Sequence, residues 1–156
     1  MFSFTTKRIA ASAVTGALYA VLTLVLAPIS YGPLQFRVSE VLCIMPFLIP
    51  ESALGLFVGC ILANIYTGNV FDIIFGSLAT LIAAVLSAKA KKEWTACLWP
   101  VVSNSLIVGA VLSFAYGIGV YPLCILQIAL SEAAVMFLIG YPALKYLEKK
   151  DISSWL

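Results

Sequence analysis

Residues 94–131 contain no Asp, Glu, Lys or Arg, and neither do residues 9–36. A water-soluble fold cannot hide charge-free stretches of that length, whereas a helix facing lipid needs about 20 predominantly apolar residues to cross a hydrocarbon core of about 30 Å. The composition agrees. Of 156 residues, 63% are hydrophobic and 10% charged, against roughly 25% charged in ordinary soluble domains. The medium for most of this chain is therefore lipid. The length admits a single domain, residues 1–156, built of five or six spans, and leaves no room for a nucleotide-binding domain of its own.

The chain has no histidine, which removes Ser-His and Cys-His nucleophile pairs, imidazole general bases and His-ligated metals. Net charge is only +2. Lys and Arg sit at segment ends rather than in a stripe with interleaved aromatics, so there is no footprint for nucleic acid. Cys43, Cys60, Cys97 and Cys124 each lie inside an apolar stretch with no CxxC spacing, and they read as small buried hydrophobes rather than metal ligands.

Segment ends are marked by charge and by turn residues. The sequence predicts an all-α, polytopic membrane protein with spans at 8–28, 36–50, 52–66, 71–88, 96–116 and 121–147. The first is ended by Pro28 and a Tyr31-Gly32-Pro33 turn, and it is too long and lacks the cleavage pattern of a secretory signal. The second is the weakest, because residues 41–50 make only about 15 Å of helix. It crosses only if the helix starts near Phe36 and keeps Arg37 and Glu40 inside the protein. Positive charge tests the count, since Lys and Arg concentrate in cytoplasmic loops. With six spans and both termini cytoplasmic, Lys7, Arg8, Lys89, Lys91, Lys92, Lys145, Lys149 and Lys150 lie inside and only Arg37 outside. Five spans in the reversed orientation do less well. Trp94, Trp99 and Trp155 at the inner ends, with Tyr31, Tyr66, Tyr116 and Tyr121 at the outer ends, match aromatic belts.

Two groups of side chains stand out. Ala10, Ala13, Ala17 and Ala20 recur on one face of the first helix beside Gly16. Such a stripe lets a second helix approach closely, either one of the chain's own or that of a partner protein. Gly55 and Gly59 form a GxxxG whose expected role is internal packing. The second group is polar. Glu40, Asp72 and Glu132 fall within spans, where an ionisable group is a functional candidate unless it is paired. Arg37 and Glu40, at i and i+3, can simply pair, and Asp72 can cap its helix after Gly68-Asn69. Glu132 lies about 16 Å in from Tyr121 at helical rise. Asn64, Tyr66, Asn104 and Gln127 add neutral polar groups. Carboxylates, amides and tyrosines from several helices suit a pocket for a small, flat, polar ligand better than an ion pore, which needs rings of like groups. No Walker A pattern is present, so ATP is not used directly by this chain.

The stretches Tyr31-Gly32-Pro33-Leu34-Gln35-Phe36-Arg37-Val38-Ser39-Glu40, Gly55-Leu56-Phe57-Val58-Gly59-Cys60 with Leu62-Ala63-Asn64, and Asp72-Ile73-Ile74-Phe75-Gly76-Ser77-Leu78-Ala79-Thr80-Leu81 closely resemble the QueT family. Its members are membrane substrate-binding (S) components of energy-coupling factor transporters. The resemblance covers essentially the whole chain. It implies six helices in the bacterial cytoplasmic membrane, no catalytic residue or metal, and a ligand among the queuosine precursors, a 7-deazaguanine base or queuine. It also implies a transmembrane coupling subunit and two cytoplasmic ATPases as partners, with ATP consumed by the latter. Ala13-x-x-x-Ala17 matches the alanine motif that docks on the coupling subunit. A guanine-like edge offers an N–H and an amino group side by side, which a carboxylate can accept together. Glu40, Asp72 or Glu132 is suited to that task, Asn64, Asn104 or Gln127 to the carbonyl and ring nitrogen, and Tyr66 or Phe36 to stacking. Rival readings are an S component for another vitamin-like ligand and a small membrane enzyme or assembly factor.

Overall fold

The computed structural model describes residues 5–31 and 35–150. The expected Gly32-Pro33 turn and Trp155 lie outside the described residues. Those described form helices and connecting turns, with no strand among them. There are six helical segments: α1 (Thr6–Val25), α2 (Val38–Leu48), α3 (Ser52–Ile65), α4 (Asp72–Ala88), α5 (Glu93–Ala115) and α6 (Tyr121–Lys149). They follow the predicted segments to within a few residues. A single extra turn, Ala27–Ser30, follows α1 with Pro28 in its first turn, where a missing N–H costs nothing.

Local chemistry sets the boundaries. The Thr5 hydroxyl accepts from Arg8 N–H and caps α1. Asn69 caps the start of the fourth segment, its Oδ1 accepting from Phe71 N–H at 2.8 Å, after a turn in which Gly68 takes a positive φ of 67°. The cap expected of Asp72 is therefore supplied three residues earlier, and the Asp72 side chain is free for another task. Gly117, also at positive φ, ends the fifth segment, and Pro122 opens α6 from its first turn.

The faces of α1 are inverted relative to a soluble helix. Its buried side carries Ser12, Thr15, Gly16, Tyr19 and Thr23, and its exposed side carries Ile9, Val14, Leu18, Val21 and Val25. The same holds further round the bundle, where Leu62, Phe114 and Leu138 are more than half exposed. Apolar surface on this scale exceeds what a soluble monomer leaves to water and is what lipid requires. Thr6–Val25, Glu93–Ala115 and Tyr121–Lys149 are long and apolar enough to cross a bilayer alone; the other three segments have between 10 and 17 residues.

α1 and α3 run parallel in the closest contact of the bundle. The Ser12 hydroxyl donates to the Glu51 carbonyl at 2.8 Å and accepts from Gly55 N–H at 3.1 Å. A methyl group on Gly16 would fall 2.2 Å from the Gly55 carbonyl oxygen, and one on Gly59 would fall 2.2 Å from that of Gly16. The GxxxG thus packs internally, as expected. α4 returns antiparallel to α3, α5 to α4, through Ser87 to the Ala96 carbonyl, and α6 to α5, through Tyr121 to the Leu106 carbonyl. One end of the bundle collects Arg8, Lys89, Lys91 and Lys92 with the final turn of α6. The other end collects Tyr31, Tyr66, Tyr116 and Tyr121. Glu51 is buried at the basic end and paired with Arg8 at 3.2 Å.

α2 is the exception in shape. Its first part, Val38–Ile44, is wound as a 3₁₀ helix, and it touches each of the other five helices. A short segment surrounded by helices rather than lipid can carry Arg37 and Glu40 into the interior.

Candidate functional site

The polar interior is built around α2. Glu40 is fully buried. Its Oε1 accepts from Tyr19 at 2.5 Å and from Thr80 at 3.4 Å, and its Oε2 accepts from the Cys43 thiol at 3.0 Å. Arg37 Nη1 stands 3.8 Å from Glu40 Oε1, while Arg37 Nη2 donates to Asn64 Oδ1 at 3.4 Å. Asn64 in turn donates to the Asp72 carbonyl at 2.9 Å and to Ser77 at 3.3 Å. The chain's own groups thus supply most of the partners that buried polar atoms demand. Arg37 Nε lacks a partner among the described residues.

Toward the tyrosine end this network opens into a cleft of about 790 Å³ lined by Tyr31, Gln35, Tyr66, Thr67, Asp72 and Tyr116. The Arg37 guanidinium lies 5.4 Å from the centre of the Tyr31 ring, and Tyr31 stacks on Tyr66 with ring centres 5.9 Å apart. Tyr31 donates to the Ala63 carbonyl at 2.6 Å. Burial pushes its phenol up to about 12, with nearby Arg37 acting in the opposite sense, so it stays a donor throughout the physiological range. Tyr116 donates to Asp72 Oδ2 at 2.6 Å.

A second polar pair lies deeper, between α5 and α6. Asn104 Nδ2 donates to Glu132 Oε1 at 2.9 Å. Asn104 Oδ1 and Glu132 Oε2 are buried without partners among the described residues. The serine one residue before Glu132 bonds back to the Gln127 carbonyl at 2.8 Å.

The residues singled out in the sequence therefore divide. Tyr66 and Asp72 line the cleft, Arg37, Glu40 and Asn64 form its floor network, and Asn104 with Glu132 forms the deeper pair. Of the three carboxylates suited by type to clasp a ligand, only Asp72 lines the cleft, because Glu40 is covered on all sides and Glu132 is buried beside Asn104. Phe36 does not line it either. Sequence reasoning missed Tyr19, Cys43 and Thr80 as partners of Glu40, and gave Tyr31 and Tyr116 only a place in the aromatic belt. A phenol within a span was the available signal for Tyr19, since a buried Tyr O–H seeks a partner. Wide π-helical turns at Asp72–Gly76, Val111–Ala115 and Ala134–Gly140 flank Asp72, Tyr116 and Glu132, in keeping with the tendency of such turns to occur at functional sites.

The alanine stripe is split. Ala10, Ala13 and Ala17 are exposed, whereas Ala20 is buried against the bundle and does not belong to the outer face. Ala13 and Ala17 line a shallow apolar groove with Leu54, Val58 and Leu62.

The pattern that defines QueT transporters matches residues 9–149. The chain belongs to the QueT transporter family. A relative within it, the "Queuosine precursor transporter QueT" of Lactococcus lactis subsp. cremoris (strain MG1363), is 39% identical over 79 residues, which is 49% of this chain and 47% of the relative. The match thus spans about half the length of that curated relative. No solved structure matches the chain. Family and relative are both transporters by description, which agrees with a non-enzymatic, multi-pass protein of the cell membrane. In this QueT protein the three stretches that carry the resemblance meet in space: Arg37 and Glu40 from the first, Cys60 and Asn64 from the second, and Asp72, Ser77 and Thr80 from the third touch one another.

Proposed function

We propose that this chain is the membrane substrate-capture component of an energy-coupling factor importer, binding a queuosine precursor, a 7-deazaguanine base or queuine, from outside. The observation that carries the reading is the cleft at the tyrosine end. It joins stacked aromatic rings and an acceptor at Asp72, with the Arg37 guanidinium behind the Tyr31 ring, in a family whose named relative is described as a queuosine precursor transporter. A planar base stacks on tyrosine, and Asp72, with Gln35 and Thr67 on the same wall, offers acceptors to its N–H groups. Asn64 and Gln127 assist. All six helices count as spans here, with α2 enclosed by the rest, and the basic end with both termini is cytoplasmic by the bias of Lys and Arg toward that side.

On this reading delivery inward uses a transmembrane coupling subunit and two cytoplasmic ATPases, the partners that the family resemblance implies. Ala10, Ala13 and Ala17 form the docking face. Thermal unfolding of the detergent-solubilised protein is the test of binding: a 7-deazaguanine or queuine at about 100 times its dissociation constant adds roughly 2.7 kcal/mol to stability. A saturable rise in melting temperature with these ligands and none with guanine is expected. A rise with an unrelated vitamin instead would discard the substrate assignment. Docking is tested separately by Ala13→Trp with Ala17→Trp. Uptake in cells is expected to fall at least tenfold while ligand binding by the purified variant is unchanged, and undiminished uptake would refute the docking face.

A further inference from the structure

The cleft has a chemical bias that a flat neutral base does not require. Asp72 Oδ2 is bound by the Tyr116 hydroxyl at 2.6 Å, while Oδ1 has no partner among the described residues. Neither Arg8, paired with Glu51, nor Arg37, paired with Glu40, is paired with Asp72. Arg37 is the basic side chain at this end of the bundle, and its charge is answered from the inner side by Glu40 at 3.8 Å, beneath the Tyr31 ring. Around Asp72 stand three tyrosines, Tyr31, Tyr66 and Tyr116, with Tyr31 and Tyr66 stacked. Aromatic faces attract cations through their quadrupoles, and rings gathered around a carboxylate are the usual means of holding an organic ammonium. Gln35 and Thr67 on the same wall add neutral acceptors for the remaining N–H groups.

The geometry points to Asp72, set among Tyr31, Tyr66 and Tyr116, as an ammonium subsite that selects ligands carrying a protonated aliphatic amine over neutral ligands of the same ring system. This rests on the capture role proposed above and names the substrate class within it. The base occupies the ring-stacking part of the cleft and its amine arm meets Asp72. Recognition of the arm is then separate from recognition of the ring, so the subsite sets preference among precursors.

The test uses the full chain purified in detergent. Dissociation constants of 7-aminomethyl-7-deazaguanine and 7-cyano-7-deazaguanine are measured by calorimetry for the native protein, Asp72→Asn and Tyr116→Phe. The native protein is expected to favour the aminomethyl compound on the order of tenfold, a size typical of a partly desolvated cation among aromatic rings. Asp72→Asn is expected to bring the ratio of the two constants close to one, and Tyr116→Phe, which frees the bonded oxygen while keeping the ring, to leave most of it. Equal binding of both compounds by the native protein, or a ratio that survives in Asp72→Asn, overturns the subsite while leaving the capture role standing. If neither compound nor queuine binds, the capture role falls, and the subsite is read with benzylammonium against benzyl alcohol. A preference of the native protein for the cation that Asp72→Asn loses upholds it, and equal behaviour of the two probes overturns it.

Discussion

Glu40→Ala is expected to cost about 3–5 kcal/mol of stability, the loss typical of removing one member of a buried ion pair. Three effects act together. Arg37 loses the carboxylate that answers its charge in an interior where it is 8% exposed, Cys43 loses its acceptor, and Tyr19 keeps only the weak contact to Cys60 Sγ at 3.5 Å, buried donors costing about 1–3 kcal/mol apiece when unmet. Against a total stability of about 5–15 kcal/mol, little folded protein should remain in detergent extracts. The cause is separable from lost volume. Arg37→Met combined with Glu40→Leu removes both charges and should recover much of the loss, because an apolar pair of similar size often replaces a buried ion pair without penalty. Denaturant or thermal unfolding of the three proteins checks this. A melting temperature for Glu40→Ala equal to that of the native protein would show that the network does not hold the bundle together.

Gly55→Leu should be comparably damaging for a different reason. A side-chain carbon at Gly55 would sit 1.9 Å from the Ser12 carbonyl oxygen, and the obstacle is the backbone of α1, which cannot rotate aside as a side chain does. The two helices must separate, which breaks the bonds from Ser12 to the Glu51 carbonyl and from Gly55 N–H to Ser12. The expected cost is about 3 kcal/mol, the upper end for overpacking. Gly119→Ala is the control, since the nearest atom to its new carbon is the Cys124 sulfur at an ordinary 3.6 Å. Its effect should stay within about 0.5 kcal/mol. Equal melting temperatures for Gly55→Leu and Gly119→Ala would contradict the tight seam.

What the sequence could determine by itself was the medium, the number of helical segments and their ends. These depend on summed local properties: lipid admits only long apolar runs, Pro and Gly interrupt them, and Lys and Arg collect on one side, so each is legible residue by residue. The internal fate of Gly55 and Gly59 was legible for a similar reason, because a small-residue spacing on a helix already describes a surface made for close contact. The stripe through Ala20 was only partly legible, since an arc of small residues says which face is flat but not where the neighbouring helix stops.

The site depended on tertiary structure. Arg37, Glu40, Asp72 and Glu132 were all visible as costly polar residues in apolar surroundings, yet nothing local distinguishes a carboxylate that is enclosed from one that lines a cleft. Glu40 is satisfied by Cys43 on its own helix and by Tyr19 from α1 and Thr80 from α4, while one oxygen of Glu132 is held by Asn104 from α5, and the partners on other helices are all distant in sequence. Asp72 reaches the cleft because Asn69 caps its helix and Tyr116, 44 residues on, lies beside it. Partners for buried polar atoms are chosen by which helices adjoin, and that adjacency arises from the packing of small residues across the whole bundle, so it is a property of the folded chain rather than of any segment in it.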